Sequence, residues 1–449
     1  MNRFLSRIPA RTIAYLVATW IFLAVLNFIL RRAGIYRDVP MWFPISVFSG
    51  LTIHISGIPY LFIFSIGLAF AVRYAPKLTL YHVWLIGLLL ILFGNLGQGG
   101  WDEALRKPFY ASGTQYYSDA LKITSWPDWL RSFNVHQPTL LLHTKTHPPF
   151  AVLIHYLVLQ VSANSLDAMG IVIVLISSLS ILLVWHIFKR LGVSRENRNL
   201  LAILFSILPA VNIYSAVSLD GIILTAATLF LLGAVMLLTS ARLPAGGLIA
   251  VACGLIMTNL LSFGGIFLVA AGGVLAVGEV VVTRRFRVTV SLLASIGLLI
   301  AVIVFLSSMY GYHHFQAFFT ASAIENPDGF RGWHEPLTYL ATRVECISEI
   351  ALFLSFGFLA MLFHPDKLAI SFSDWQSIDM GLLLSGVITL LAMFTVGAFH
   401  TGETARSALF IYPYIMLALR NADPATLRDI VKCAGFQTMV MQLFGGYYW

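Results

Sequence analysis

Apolar residues in this chain come in runs of about twenty, separated by short polar breaks, and at 1.5 Å per residue a helix of that length crosses ~30 Å of hydrocarbon. Each run therefore predicts a membrane span. Twelve are expected, near 12–30, 58–75, 79–97, 168–188, 199–217, 221–239, 245–260, 262–281, 288–308, 346–363, 379–399 and 405–420. A further apolar segment, 148–164, opens with Pro148-Pro149 and is interrupted by His155 and Gln160. It reads as a thirteenth span or as a half-buried, re-entrant helix. The fold class that follows is all-α, a polytopic transmembrane bundle of about 12–13 spans, treated as a single integral membrane domain over 1–449.

Lysine and arginine cluster at Arg3/Arg7/Arg11, Arg73/Lys77, Lys189/Arg190/Arg195/Arg198, Arg284/Arg285/Arg287 and Arg428/Lys432. All five clusters fall on the cytoplasmic side if 148–164 does not cross, which favours the re-entrant reading and leaves Arg31, Arg32 and Arg37 as misfits outside. The polar loops 98–147, 309–345 and 400–404, and the turn containing Asp220, then share the outer face. The first 32 residues have a basic start and an apolar run ending at Arg31-Arg32 without a small-residue cleavage site, so they predict a retained first span.

Composition narrows the class. Apolar residues make up 59% and charged residues only 11%, and the mean hydropathy is +0.84. A soluble domain carries roughly 25% charge, so a soluble enzyme with one anchor is excluded. The net charge of +8 records topology and contact with anionic lipid; no nucleic-acid partner is implied. Cys253, Cys346 and Cys433 are too scattered for a disulfide framework or a zinc site. There is no GxxxxGK[ST] or GxGxxG to hold a nucleotide.

Candidate chemistry lies in the loops. The 98–147 loop holds Asp102, Glu103, Asp119 and Asp128, several Lys and Arg residues, His136, His143 and His147, and many aromatic rings. Tyr116, Asp119/Ala120, Ile123, Trp126 and Leu130 recur near helical spacing, predicting short amphipathic helices lying on the membrane, with Pro127 limiting their length. In HTKTHPPF, Pro148-Pro149 can occupy the first turn of a helix. His143, Lys145 and His147 would then face the positive end of that helix, suited to a phosphate. The bland alternative is a helix-entry motif with hydrogen-bonded histidines.

The order Asp102-Glu103, Tyr116-Tyr117, Asp128-Trp129-Leu130 and His147-Pro148-Pro149-Phe150 resembles the GT-C glycosyltransferases. That group includes the protein O-mannosyltransferases and the aminoarabinose transferases of lipid A, and the pattern here is nearest to uncharacterised bacterial members. Ser218-Leu219-Asp220 looks like the Asp that opens a middle helix in that group. His400-Thr401-Gly402-Glu403-Thr404-Ala405-Arg406 looks like its Gly-Glu-x-x-Arg pattern. In the better-known families the acidic pair lies closer to Trp-Leu than it does here, so Asp119 and Asp102-Glu103 are rival carboxylates.

The resemblance implies a membrane glycosyltransferase that moves a sugar from a polyprenyl-phosphate donor to a glycan, lipid or protein acceptor. Its site would face outward from a bacterial inner membrane. The catalytic base is assigned to Asp119 or Asp102, with Glu103 beside the latter; His143, Lys145, His147, Asp220, His400, Glu403 and Arg406 are substrate-binding candidates. No cofactor is assigned, and a divalent cation is left open. The alternatives are a twelve-span secondary transporter and a lipid-linked polysaccharide polymerase or ligase. Against function, Asp102 and Glu103 read as solvated ion pairs with Arg106 and Lys107, Asp220 as a helix-terminal residue, and Glu403/Arg406 as a self-satisfied pair. The stretch 325–329 reads as a turn and the glycines 264–265 and 272–273 as packing positions in an apolar helix.

Overall fold

The computed structural model describes residues 8–34, 48–51, 53–111, 113, 115–368, 377–398 and 403–447. They form an all-α polytopic bundle with one small antiparallel ribbon, in which Phe48 pairs with Tyr447 and Leu51 with Gly445. Seven of the described helices are long and apolar enough to cross a membrane, or eight if the bent pair Pro336–Leu354 and Phe356–Leu362 is one span. Shorter apolar helices are Leu80–Leu96, Phe150–Val161, Ala245–Leu261 and the broken segment Leu409–Leu419. The protein is an integral membrane protein.

The twelve runs reappear as helical segments, and three of them are interrupted where the sequence predicted continuity. The 199–217 run divides at Leu208 into Arg195–Ile207 and Pro209–Tyr214. Proline has no amide hydrogen and its ring disfavours helical backbone in the preceding residue, so Pro209 starts a new helix. The 346–363 run turns through 106° at Ser355, whose φ is +84°. Gln437 bridges that break: its Nε2 donates to Leu352 O at 2.6 Å and its Oε1 accepts from Phe356 N at 2.8 Å. The 405–420 run is a chain of short turns from Thr404 to Leu419.

A last helix, Pro424–Phe444, lies beyond the predicted spans. Asp423 caps it by accepting from Ala425 N at 2.9 Å and Thr426 N at 3.1 Å, and Pro424 takes the first position, where a missing donor costs little. Its polar residues face the bundle: Thr438 donates to Ile207 O at 2.6 Å and Gln442 to Asn212 Oδ1 at 2.9 Å.

Helix Leu219–Thr239 runs through the middle, packed against Leu166–Arg190 and Ala245–Leu261. Glycine permits the second contact, because a Cβ on Gly254 would lie 2.6 Å from Phe230 N and one on Gly233 2.7 Å from Val251 N. Gly264-Gly265 sit in the turn Phe263–Gly265 between two helices, not inside an apolar helix as expected. Gly272 packs against Leu292 and Phe230, while among the described residues nothing lies within 4 Å of a Cβ placed on Gly273.

The 148–164 segment forms a helix of only 12 residues, Phe150–Val161. That is roughly 18 Å long, short of the hydrocarbon thickness, in keeping with the half-buried reading. It packs against the loop helix Tyr116–Ala120 and the long Leu166–Arg190. The first large loop folds into Tyr116–Ala120, Trp126–His136 and Leu142–Lys145. It is fastened to the second loop by Asn134, which donates to His313 O and accepts from His313 N, both at 2.9 Å. Gln137 adds a bond to Ala317 O at 2.8 Å. The turn at 326–329 is present, closed by Gly329 N donating to Asn326 O at 3.0 Å.

Candidate functional site

A small cleft opens where the first large loop meets the bundle. The loop contributes Pro108, Phe109, Gln115, Tyr116, Tyr117 and His147, and Phe150–Val161 contributes His155. Val217, Ser218, Leu219 and Asp220 come from the entry of the central helix, and Arg406 from the short turn Thr404–Ser407. Residues 186 positions apart in sequence, Asp220 and Arg406, thus meet beside a loop that lies about a hundred residues earlier in the chain.

Asp220 sits in the first turn of Leu219–Thr239, where the positive end of the helix favours a carboxylate. Ser218 caps that turn, accepting from Asp220 N at 3.2 Å and donating to Asp220 Oδ2 at 2.6 Å. The Arg406 guanidinium is buried and donates through Nη2 to Glu403 Oε2 at 2.7 Å; its Nε lies 3.7 Å from Asp220 Oδ2. Among the described residues that Nε has no hydrogen-bond partner, and neither does the buried Gln115 Nε2, which lines the same cleft. Two donors thus stand unmet in one cleft, beside two carboxylates that share one cation.

Tyr116 is surrounded by imidazoles, its ring centroid 5.9 Å from His143, 5.5 Å from His147 and 5.1 Å from His155. Burial pushes its hydroxyl well above the ordinary tyrosine range, and Asp220 adds to the rise. Burial also holds His143 well below the ordinary histidine range, with Arg406 and His147 contributing. His147 is lowered by burial against the upward pull of Asp220. Both rings are therefore neutral near pH 7. His147 Nδ1 is 3.0 Å from His143 O, and only a protonated Nδ1 can make that bond; Nε2 is left as an acceptor. His155 repeats the pattern through Nδ1 and Ala151 O at 2.7 Å.

This geometry revises the expected phosphate cradle. The prolines precede the helix instead of filling its first turn, with Pro149 as the cap of Phe150–Val161. Lys145 ends the short helix Leu142–Lys145, so it does not lie on an extended strand beside His147, and it does not line the cleft. His143 packs against Tyr116 and does not line the cleft. A neutral His147 offers a lone pair to the cleft where an anion would need a proton.

The expected carboxylates also lie outside the cleft. Asp119 is fully buried, with Oδ1 2.7 Å from Lys122 Nζ and Oδ2 accepting from Leu141 N at 3.1 Å. It fastens the loop to itself. Asp102 and Glu103 occupy a π-helical turn and pair with Arg106 at 3.6 Å and Lys107 at 2.7 Å. Arg106 also binds Asp167 at the head of Leu166–Arg190. Asp220, Glu403 and Arg406 are the predicted residues that the structure joins into one constellation. His400 falls outside the described residues.

Sequence reasoning missed Gln115, Ser218 and His155 as cleft residues. Ser218 was legible as an N-cap before Asp220; for His155 the signal was its interruption of an apolar run. Among the described residues no group of three or more His, Cys, Asp or Glu is arranged to hold a metal ion.

No protein-family model matches the chain, and no curated protein matches it. Among solved structures it is similar to the crystal structure of ArnT from Cupriavidus metallidurans in the apo state, at 13% identity and a TM-score of 0.31, over 74% of this chain and 76% of that one.

Proposed function

We propose that the protein is a membrane glycosyltransferase that takes a sugar from a polyprenyl-phosphate donor and transfers it to an acceptor hydroxyl in this cleft. The observation that carries the reading is the Asp220–Arg406–Glu403 constellation, set against Tyr116 and His147 at the boundary between apolar bundle and polar loop. A lipid-linked sugar phosphate has a matching division, with an apolar tail for the bundle surface and a polar head for the cleft. The motif order of the first loop supports the same class.

In this reading Arg406 holds the leaving phosphate through its unmet Nε, since guanidinium is always charged and matches phosphate oxygens. Asp220 takes the proton of the acceptor hydroxyl as its oxygen bonds to the anomeric carbon and the bond from that carbon to the phosphate oxygen breaks. The His147 and His155 Nε2 atoms accept from sugar or acceptor hydroxyls. Asp119 keeps the loop folded. Membrane lipids surround the bundle, and the acceptor class is open among glycan, lipid and protein.

The test is transfer from a panel of polyprenyl-phosphate sugars by the full-length protein in lipid nanodiscs. Asp220→Asn is expected to lower transfer by roughly 10²–10⁴ while leaving the fold intact. Full activity in Asp220→Asn removes it as the base. No transfer by the unaltered protein from any member of the panel removes the donor class.

A further inference from the structure

We infer that Glu349 is a positioning residue for the cleft, one that fixes Glu403 and Arg406 by holding the backbone between them. The inference rests on the proposed reading only for its effect on substrate; the linkage itself is geometric.

Glu349 lies in helix Pro336–Leu354 and is 1% exposed, too deep to be a solvated carboxylate. Its Oε2 accepts from Thr404 N at 2.6 Å and from Ala405 N at 3.3 Å. Those amides open the short turn Thr404–Ser407, which has Glu403 at its cap and Arg406 on its third residue. A turn of four residues has little stability of its own. A carboxylate accepting from two amides at its start is the stabilising contact that fixes where the turn begins, and hence where the guanidinium points.

The far end of the lever is rigid as well. Helix Pro336–Leu354 ends at Ser355, and the break is closed on both sides by Gln437 of the last helix. The buried carboxylate is therefore anchored to the bundle, while the turn it holds reaches the cleft. Asp220 and Glu403 then converge on Arg406 from two elements, the central helix and the Glu349-held turn.

The experiment uses the full-length protein in lipid nanodiscs with two readouts. The first is hydrogen–deuterium exchange over 403–408. The second is binding of undecaprenyl phosphate. Glu349→Ala is expected to raise exchange of the Thr404 and Ala405 amides while the other helices stay protected, and to weaken lipid-phosphate binding roughly tenfold, in line with loss of charge-assisted hydrogen bonds. Glu349→Gln keeps an acceptor oxygen and is expected to restore most of both. If Glu349→Ala does not assemble, Glu349→Asp, which keeps the charge but withdraws the oxygens, takes its place with the same local increase in exchange.

Unchanged exchange at 404–405 overturns the inference, as does a bundle-wide increase in every variant. If the unaltered protein binds no undecaprenyl phosphate, the proposed function fails, and the exchange readout alone decides the positioning role.

Discussion

The imidazole of His147 returns to the carbonyl of the residue four before it, Nδ1 to His143 O at 3.0 Å. The contact fixes the tautomer and turns a histidine at a helix entry into an acceptor. A motif that reads as a phosphate cradle thus presents an acceptor at His147, and in the proposed reading the anion is left to Arg406.

A pH dependence follows. Burial lowers both His143 and His147 below the ~6.5 of an unfolded histidine, so the unfolded chain binds more protons as the pH falls. The stability contributed by these neutral rings is whole above about 6.5 and is lost as the pH drops from there through the folded pKa. Thermal unfolding between about pH 7 and about pH 5 should show a falling midpoint, and His147→Gln should flatten part of the fall. An equal fall in that variant would assign the effect to other groups.

Asp119 gives a stability prediction. Its two oxygens serve Lys122 and the Leu141 amide from a fully buried side chain, so Asp119→Ala leaves a part-buried amide without its acceptor. The expected cost is about 1–3 kcal/mol, with exchange rising first near Leu141. Asp119→Asn keeps an acceptor for that amide and is expected to retain most sugar transfer. Loss of transfer in Asp119→Asn at unchanged stability would return the base role to this residue.

The spans were legible because hydrocarbon imposes one dominant rule, and runs such as 166–190 or 287–310 obey it with charge confined to their ends. The last helix was hidden because Arg428, Asp429, Lys432, Gln437 and Gln442 break its apolar run, and several of these bond within the bundle. Asp423-Pro424 was a readable start signal that hydropathy outweighed. At the site, Asp220 and Arg406 were named from their motifs, yet their meeting was not readable, since it depends on a turn held by Glu349 from a distant helix. Asp102, Glu103 and Asp119 stayed rivals in the sequence for a related reason. Each has a cation three or four residues away, and a local partner in sequence says nothing about which carboxylate stays free for a cleft.

The last prediction concerns how the central helix is seated. Gly254 and Gly233 let Ala245–Leu261 and Leu219–Thr239 approach until backbone meets backbone. A methyl group on Gly254 would fall 2.6 Å from Phe230 N and 2.7 Å from Ala226 O, atoms that belong to a helix and cannot rotate aside. The helices must separate, and Leu219–Thr239 carries Asp220 at its head. Gly254→Ala is therefore expected to cost about 1–3 kcal/mol, the usual range for overpacking. Gly273→Ala, where nothing lies within 4 Å, should be neutral or slightly stabilising through helix propensity. Thermal midpoints of the two variants in the same nanodiscs decide it. Equal midpoints would mean that the 219–239 and 245–261 helices tolerate separation, and that close glycine packing does not set the position of Asp220.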